Sequence, residues 1–194
     1  KSEFTATHSS GVAATATALA NLVGFSGEER KLIEIAAYLH DLGKLAIPSE
    51  IIEKPGKLSD VEWHIMRSHA YYTHQILESV DILGLINTWS ALHQERINGL
   101  GYPFGYKGEQ LPLGARIMAV ADIFTAITED RPYRKGMDKK SAMAVLQTMV
   151  DDGEIDARLV KLILENFDFM NEARDSAQKE AIREYLDFNT LLKQ

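Results

Sequence analysis

Tyr38-Leu39-His40-Asp41-Leu42-Gly43-Lys44-Leu45-Ala46-Ile47-Pro48 is the stretch on which the reading of this 194-residue chain turns. An apolar helical run ends there in a His–Asp pair, followed by a glycine and a lysine. A neutral imidazole beside an ionised carboxylate suits Fe, Mn, Zn or Ni better than Ca or Mg. Gly43 is expected to take a positive φ where the helix stops, and Lys44 then sets a cation beside the two ligands. His8, His69, His93 and Asp122 each fall within or near another apolar helical run.

Working outward, Ser26-Gly27-Glu28-Glu29 reads as a capping box that starts the helix ending at His40. Ile33, Ala36, Ala37 and His40 share one face of that helix, so His40 points toward the core. Asp41 is rotated by about 100° from it, so the two side chains can approach one metal, or Asp41 can bridge two. The preceding helix is predicted from about His8 to Val23, with Val12, Ala16, Leu19 and Val23 as its apolar stripe.

Pro48, Pro55 and Gly56 punctuate the next connection. Ser59-Asp60-Val61-Glu62 is a second capping box. The helix it opens has Trp63, Met66, Ala70, Thr73, Leu77 and Val80 as a predicted buried stripe, with His69 on a neighbouring face. His64 and His74 fall off the His69 face and are expected at the surface or just behind the site. A fourth helix, about Ile82 to Glu95, carries Leu85, Trp89 and His93 in register. Trp63 and Trp89 are read as core.

Asn98-Gly99-Leu100-Gly101-Tyr102-Pro103-Phe104-Gly105-Tyr106-Lys107-Gly108 is too rich in Gly and Pro for a helix. Long structured loops of this kind are often functional. Pro112 suits the start of a helix that has Ile117, Val120, Phe124 and Ile127 on one face and Asp122 on another. A carboxylate in so apolar a run is costly to bury without a partner. Arg131 to Gly136 closes it with a basic cluster. Asp138 can cap a helix to about Val150, Asp156 another to about Phe167, and Glu172 to Lys193 is again helical in pattern. No strand alternation of useful length is present. The expected class is all-α: a compact multi-helix bundle over residues 1–170, with residues 171–194 as a helical tail packed on it.

The bulk composition narrows the chemistry. Cysteine is absent, so disulfides and thiolate-bound metals are excluded and only nitrogen and oxygen ligands remain. The net charge of −7 argues against a broad surface for long nucleic acid, but not against a small phosphorylated ligand met by metal ions or a few cations. No apolar run approaches the length that spans a bilayer, and a cytoplasmic location fits.

These motifs occur in one order: His8; His40-Asp41 with Lys44 and Ile47-Pro48; Lys54-Pro55-Gly56; His69; His93 with Glu95; Gly99-Leu100-Gly101-Tyr102-Pro103; and Ala121-Asp122 followed by Arg131-Pro132-Tyr133-Arg134. As an ordered set they resemble the HD-GYP family, a branch of the HD metal-dependent phosphohydrolases, over roughly residues 5–165. The resemblance implies hydrolysis of the bacterial second messenger cyclic di-GMP to pGpG or GMP by a hydroxide bridging two divalent ions, most often iron or manganese, with zinc and nickel also compatible. Carried over by position, it implies His8, His40, Asp41 and Asp122 as ligands of one metal, and Asp41, His69 and His93 as ligands of the other. Lys44 with Asp41 then forms the catalytic core, and Lys44, Tyr102, Arg131 and Arg134 contact the substrate or shape its pocket. It also implies an upstream sensory or receiver domain and is compatible with a homodimer.

The chemistry is consistent with that resemblance. Two metals about 3.5–4 Å apart can deprotonate a water and neutralise the charge that develops on phosphorus, and nearby cations add electrostatic stabilisation. Tyr102 packed under its loop, and the two arginines as a cluster at a helix C-terminus, are the structural alternatives. Four positions depart from the family pattern: Gln94 stands where a second His is usual, Asn98 where an Asp is usual, Gly11 where an Arg is common, and Phe4 where trimetal members carry a Glu. The first two admit a second reading, a weakened domain that binds nucleotide or a protein partner without cleaving. A third is an HD phosphohydrolase acting on another nucleotide, against which the Gly99–Pro103 loop argues.

Overall fold

A computed structural model of the chain describes residues 3–131 and 134–191, without the side chains of residues 3–6. Among the described residues there are nine α-helices: α1 (Glu3–Leu22), α2 (Gly27–Leu39), α3 (Ser49–Ile52), α4 (Asp60–Glu78), α5 (Gly84–Ala91), α6 (Leu113–Thr128), α7 (Lys139–Asp151), α8 (Ala157–Glu165) and α9 (Phe167–Leu191). Short 3₁₀ turns lie at Leu42–Ala46, Asp81–Leu83 and Gly108–Gln110. The extended pairing among the described residues is one antiparallel bridge between Arg131 and Arg134. The all-α expectation holds.

Helix α1 is the axis of the bundle. Helices α2, α6 and α9 lie against it, and Val12, Ala13, Ala16, Leu19 and Ala20 are buried in those contacts. Its small side chains let the neighbours approach closely. Helix α6 supplies the facing half of the core with Ile117, Met118, Val120, Ala121 and Phe124. The two metal-ligand candidates on these helices, His8 and Asp122, therefore start from rigid, buried elements.

Both capping boxes form as read. Ser26 Oγ accepts from the Glu29 amide at 3.2 Å while Glu29 accepts from the Ser26 amide at 2.8 Å. Ser59 and Glu62 repeat the pattern. Asp138 and Asp156 cap α7 and α8 through their carboxylates.

Several expectations change. Helix α1 begins at Glu3, ahead of His8. Trp63, Val80 and Leu85 are not core: they are 52%, 44% and 56% exposed. Helix α4 packs on the Leu42–Ala46 turn and on α5, so its buried face is the narrower set His69, Ala70, Thr73 and Leu77. Helix α5 ends at Ala91, and His93 sits in the turn that follows, not within the helix. The last helix starts at Phe167.

Gly43 has no positive φ; the reason for glycine there is steric. A Cβ at this position would lie 1.9 Å from the His69 carbonyl oxygen and 2.5 Å from the Thr73 amide nitrogen. The Leu42–Ala46 turn thus rests directly on the α4 backbone. Thr73 stitches the contact: its hydroxyl donates to the His40 carbonyl at 2.9 Å and accepts from the Gly43 amide at 2.9 Å. This approach brings His40, Asp41 and Lys44 beside His69. Gly43→Ala is expected to force the two backbones apart and cost about 3 kcal/mol or more. A thermal melt of purified protein checks this; an unchanged melting temperature would contradict the close approach.

Candidate metal centre

The expected ligands converge from five segments. His8 comes from α1, His40 and Asp41 from the end of α2, His69 from α4, His93 from the turn after α5, and Asp122 from α6. Three triples bring their ligand atoms within 4.8 Å of one another: His8–His40–Asp41, His40–His93–Asp122 and Asp41–His69–His93. All four histidines are at least 93% buried.

The histidine orientations are set locally. His40 Nδ1 donates to the Ala37 carbonyl at 2.7 Å, His69 Nδ1 to Met66 at 2.7 Å and His93 Nδ1 to Ser90 at 2.6 Å. In each case the acceptor lies three residues earlier in the chain. A carbonyl can only accept, so each Nδ1 carries the proton and each neutral ring presents the lone pair on Nε2. Those lone pairs face one another. His69 Nε2 lies 3.3 Å from His93 Nε2 and 3.4 Å from Asp41 Oδ1. His40 Nε2 is 3.4 Å from Asp41 Oδ2 and has no hydrogen-bond partner. Acceptors crowded together out of water are unfavourable without a cation among them. The donor set of imidazole nitrogens and carboxylate oxygens therefore fits one or more divalent transition metals.

His8 is held differently. Its Nε2 is 3.0 Å from Asp122 Oδ1, and its Nδ1 is 3.1 Å from both oxygens of Glu129. Burial works against the charged ring, but the hydrogen bonds to Asp122 and Glu129 outweigh it and raise the His8 pKa to about 10. Burial likewise opposes the charge on Asp122 and Asp41. The neighbouring histidines, with Lys44 beside Asp41, hold both carboxyls below the usual carboxylate range. Burial and the neighbouring His40 push His93 down to about 3, and burial lowers His69. His40 moves the other way, because Asp41 and Asp122 overcome its burial. At neutral pH the centre thus presents ionised carboxylates and neutral His69 and His93, the protonation states that metal ligation needs, whereas His8 carries a proton on Nε2 that a bound ion would have to displace.

The surrounding residues follow from the same geometry. Lys44 Nζ is 2.5 Å from Asp41 Oδ2. Tyr102 meets His69 edge to face, with centroids 6.2 Å apart, and the Arg67 guanidinium carbon lies 4.5 Å over the Tyr102 ring. A cleft of about 500 Å³ opens next to the centre, walled in part by Trp63, Arg67, Gln94, Arg96 and Tyr102. Glu95 is buried and accepts from the amides of Phe104 and Gly105 at 2.7 and 3.1 Å, which fixes the Gly-rich loop.

The departures also find their places. Gln94 is not aimed at the centre through its carbonyl: its amide nitrogen donates to Asp122 Oδ2 at 3.3 Å. Asn98 donates to the Asp152 carbonyl and accepts from the Leu100 amide; an aspartate could not make the first of these bonds. Arg131 is paired with Glu129 at 2.8 Å, and Arg134 donates to the Ala126 carbonyl in the last turn of α6. Pro132, Tyr133 and the Phe4 side chain lie outside the described residues. Glu129, Gln178 and Arg67 were not anticipated from the sequence. Asp122 and Glu129 are seven residues apart, the spacing that returns to one helical face, and that was the available signal for Glu129. Gln178, more than forty residues further on, gave none.

The HD domain family model matches residues 1–159. The chain belongs to the HD domain family. Similar curated proteins include the 3'3'-cGAMP-specific phosphodiesterase 1 of Vibrio cholerae, 36% identical over 86% of this chain and 38% of that protein. Another is the cyclic di-GMP phosphodiesterase response regulator RpfG of Xanthomonas campestris, 41% identical over 66% of this chain and 34% of that protein. The HD domain therefore spans about a third of the curated relatives it matches. Among solved structures, an HDG"Y"P protein of Bdellovibrio bacteriovorus superposes with a TM-score of 0.64 at 21% identity, over 83% of this chain and 51% of that one. The HD domain of Listeria monocytogenes PgpH with cyclic-di-AMP gives 0.61 at 17% identity, over 93% and 91%. At those identities the structures establish the fold. The expected HD-GYP type of HD domain is in keeping with these relatives.

A divalent ion bound by these side chains stabilises the folded state by mass action, about 2.7 kcal/mol at a hundredfold excess over Kd. Mn(II) added to chelator-stripped protein is expected to raise the melting temperature, and His40→Ala to abolish most of that rise. A melting curve indifferent to every divalent transition metal would contradict the fit.

Proposed function

We propose that this HD domain hydrolyses cyclic dinucleotides, cyclic di-GMP foremost, to linear pGpG or GMP, with a pair of iron or manganese ions. The observation that carries the reading is the convergence of four buried His and two part-buried Asp side chains beside a cleft whose walls touch them, Gln94 on Asp122 and Tyr102 on His69. The names of the similar proteins, cyclic di-GMP and 3'3'-cGAMP phosphodiesterases, support the substrate class. His8, His40, Asp41 and Asp122 would hold one ion, His69 and His93 the other, with Asp41 between them. When bound, the ions supply a nucleophile at neutral pH and neutralise charge on the phosphoryl oxygens.

The chain's own residues do the rest. Glu129 and the three backbone carbonyls hold the imidazoles in the ligating tautomer. Lys44, part-exposed beside Asp41, offers its remaining N–H groups to a phosphate. Burial raises the Tyr102 phenol to about 12, so it stays protonated and donates. Arg67 and Arg96 place two guanidinium groups on the cleft wall, Arg96 paired with Glu154 at 3.5 Å and Asp60 adding a carboxylate. Arg67 is the cation offered to a phosphodiester, and Trp63 offers an exposed aromatic face for a base. We place this domain as the output part of a longer cytoplasmic signalling protein, in line with the response-regulator name of the Xanthomonas relative.

A second reading is favoured by one contact. Gln94 donates to Asp122 where the family pattern has an imidazole, which fits a domain that binds nucleotide and turns it over slowly or not at all. Protein loaded anaerobically with Fe(II) or Mn(II) and incubated with cyclic di-GMP and 3'3'-cGAMP is expected to yield linear products by chromatography. Lys44→Ala is expected to slow this about 100-fold. Nucleotide affinity without turnover in the parent, together with turnover gained by Gln94→His, would establish the second reading instead.

A further inference from the structure

The family match ends at residue 159, yet α9 reaches the metal centre. Glu129 is 2% exposed and its two oxygens are shared among three partners. His8 Nδ1 lies against both, Arg131 donates to Oε1 at 2.8 and 3.1 Å, and Gln178 of α9 donates to Oε2 at 2.9 Å. Gln178 is itself held by Arg174, one turn earlier on α9, whose guanidinium donates to the Gln178 side-chain oxygen and to Asn171 Oδ1. Arg174 and Gln178 are 6% and 9% exposed, an unusual depth for such long polar side chains on a C-terminal helix.

The chain makes room for this contact. Gly11 stands in the middle of α1, where glycine costs about 1 kcal/mol relative to alanine. A Cβ there would lie 2.8 Å from the Gln178 amide nitrogen and 3.0 Å from Thr125 Cγ2. A helix-weakening residue at that point is accounted for by the space the Gln178 side chain occupies.

We propose that α9 is a working part of the metal centre: Gln178, braced by Arg174 and admitted by Gly11, is a positioning residue that fixes Glu129 and through it the tautomer and direction of His8. The inference rests on reading His8 as a metal ligand. Groups that orient a ligating histidine from behind are worth about 10- to 100-fold in metal affinity. Here one of them is delivered from outside the matched family region. Metal binding near His8 and the docking of α9 on α1 are then coupled, each favouring the other.

The test is a Mn(II) titration of the full, chelator-stripped chain against a competing indicator, resolving the two affinities, alongside thermal melts without metal. Gln178→Leu and Gly11→Ala are expected to weaken one of the two sites about tenfold and leave the other, and the metal-free melting temperature, near the parent values. Gly11→Ala favours α1 as a helix and presses hardest on the movable end of Gln178, with a lesser contact on Thr125 Cγ2, so it reports even where Gln178→Leu fails to fold. His8→Ala is the control and is expected to lose the same site. If His8→Ala leaves both affinities intact, the ligand reading of His8 fails. If His8→Ala loses a site but neither variant changes it, or if the variants weaken both sites in step with a lower melting temperature, the role given to α9 is overturned.

Discussion

The constraint on which this molecule depends is a crowd of hydrogen-bond acceptors with too few donors. Three imidazole lone pairs and the carboxylates of Asp41 and Asp122 face one another in a largely buried space at the edge of the cleft. The protein meets only part of that demand itself, through Lys44 on Asp41 and through His8 and Gln94 on Asp122. A divalent cation is the kind of group that would satisfy the remainder. The core therefore has two jobs. It buries apolar surface, and it holds like groups together against their mutual repulsion.

It does so with devices that are mostly local. His40, His69 and His93 each return Nδ1–H to a carbonyl three residues back, so the same short-range geometry fixes three tautomers without a long-range partner. His8 lacks that option, because its Nδ1 faces Glu129. It depends instead on a carboxylate 121 residues away, which in turn leans on Arg131 and on α9. Three ligands are thus oriented by their own helices or turns and the fourth by tertiary structure. Damage far along the chain is expected to be felt at His8 before it is felt at the others.

The cleft shows a similar division. Glu95 pins the Gly-rich loop by its amides, and the loop delivers Tyr102 to His69. The wall opposite is the first half of α4, most of whose side chains are exposed among the described residues. Trp63 and Arg67 thus stand at the surface despite lying on a helix whose second half is core. An exposed wall with an aromatic face and the Arg67 guanidinium beside the candidate ligands is in keeping with the proposed anionic, base-bearing substrate.

The one-dimensional pattern was enough for the helical class, both capping boxes and the run that ends at His40-Asp41, while the six His and Asp residues that meet in the centre were singled out by the ordered resemblance to the HD-GYP family. The first three depend on neighbours within a turn or two; the last depends on a motif order that the resemblance supplies. Tertiary structure alone decided which face of α4 is covered, why residue 43 has to be glycine, and which way Gln94 points. It alone also showed that Gln178 and Arg174 stand behind His8. Those outcomes depend on what a distant segment places against a residue: the α4 backbone against Gly43, Asp122 against Gln94, the Gln178 amide against Gly11. Periodicity along the chain carries no information about a contact made between separate elements, whether some thirty residues apart or more than a hundred, and it is there that the reading of the sequence stopped.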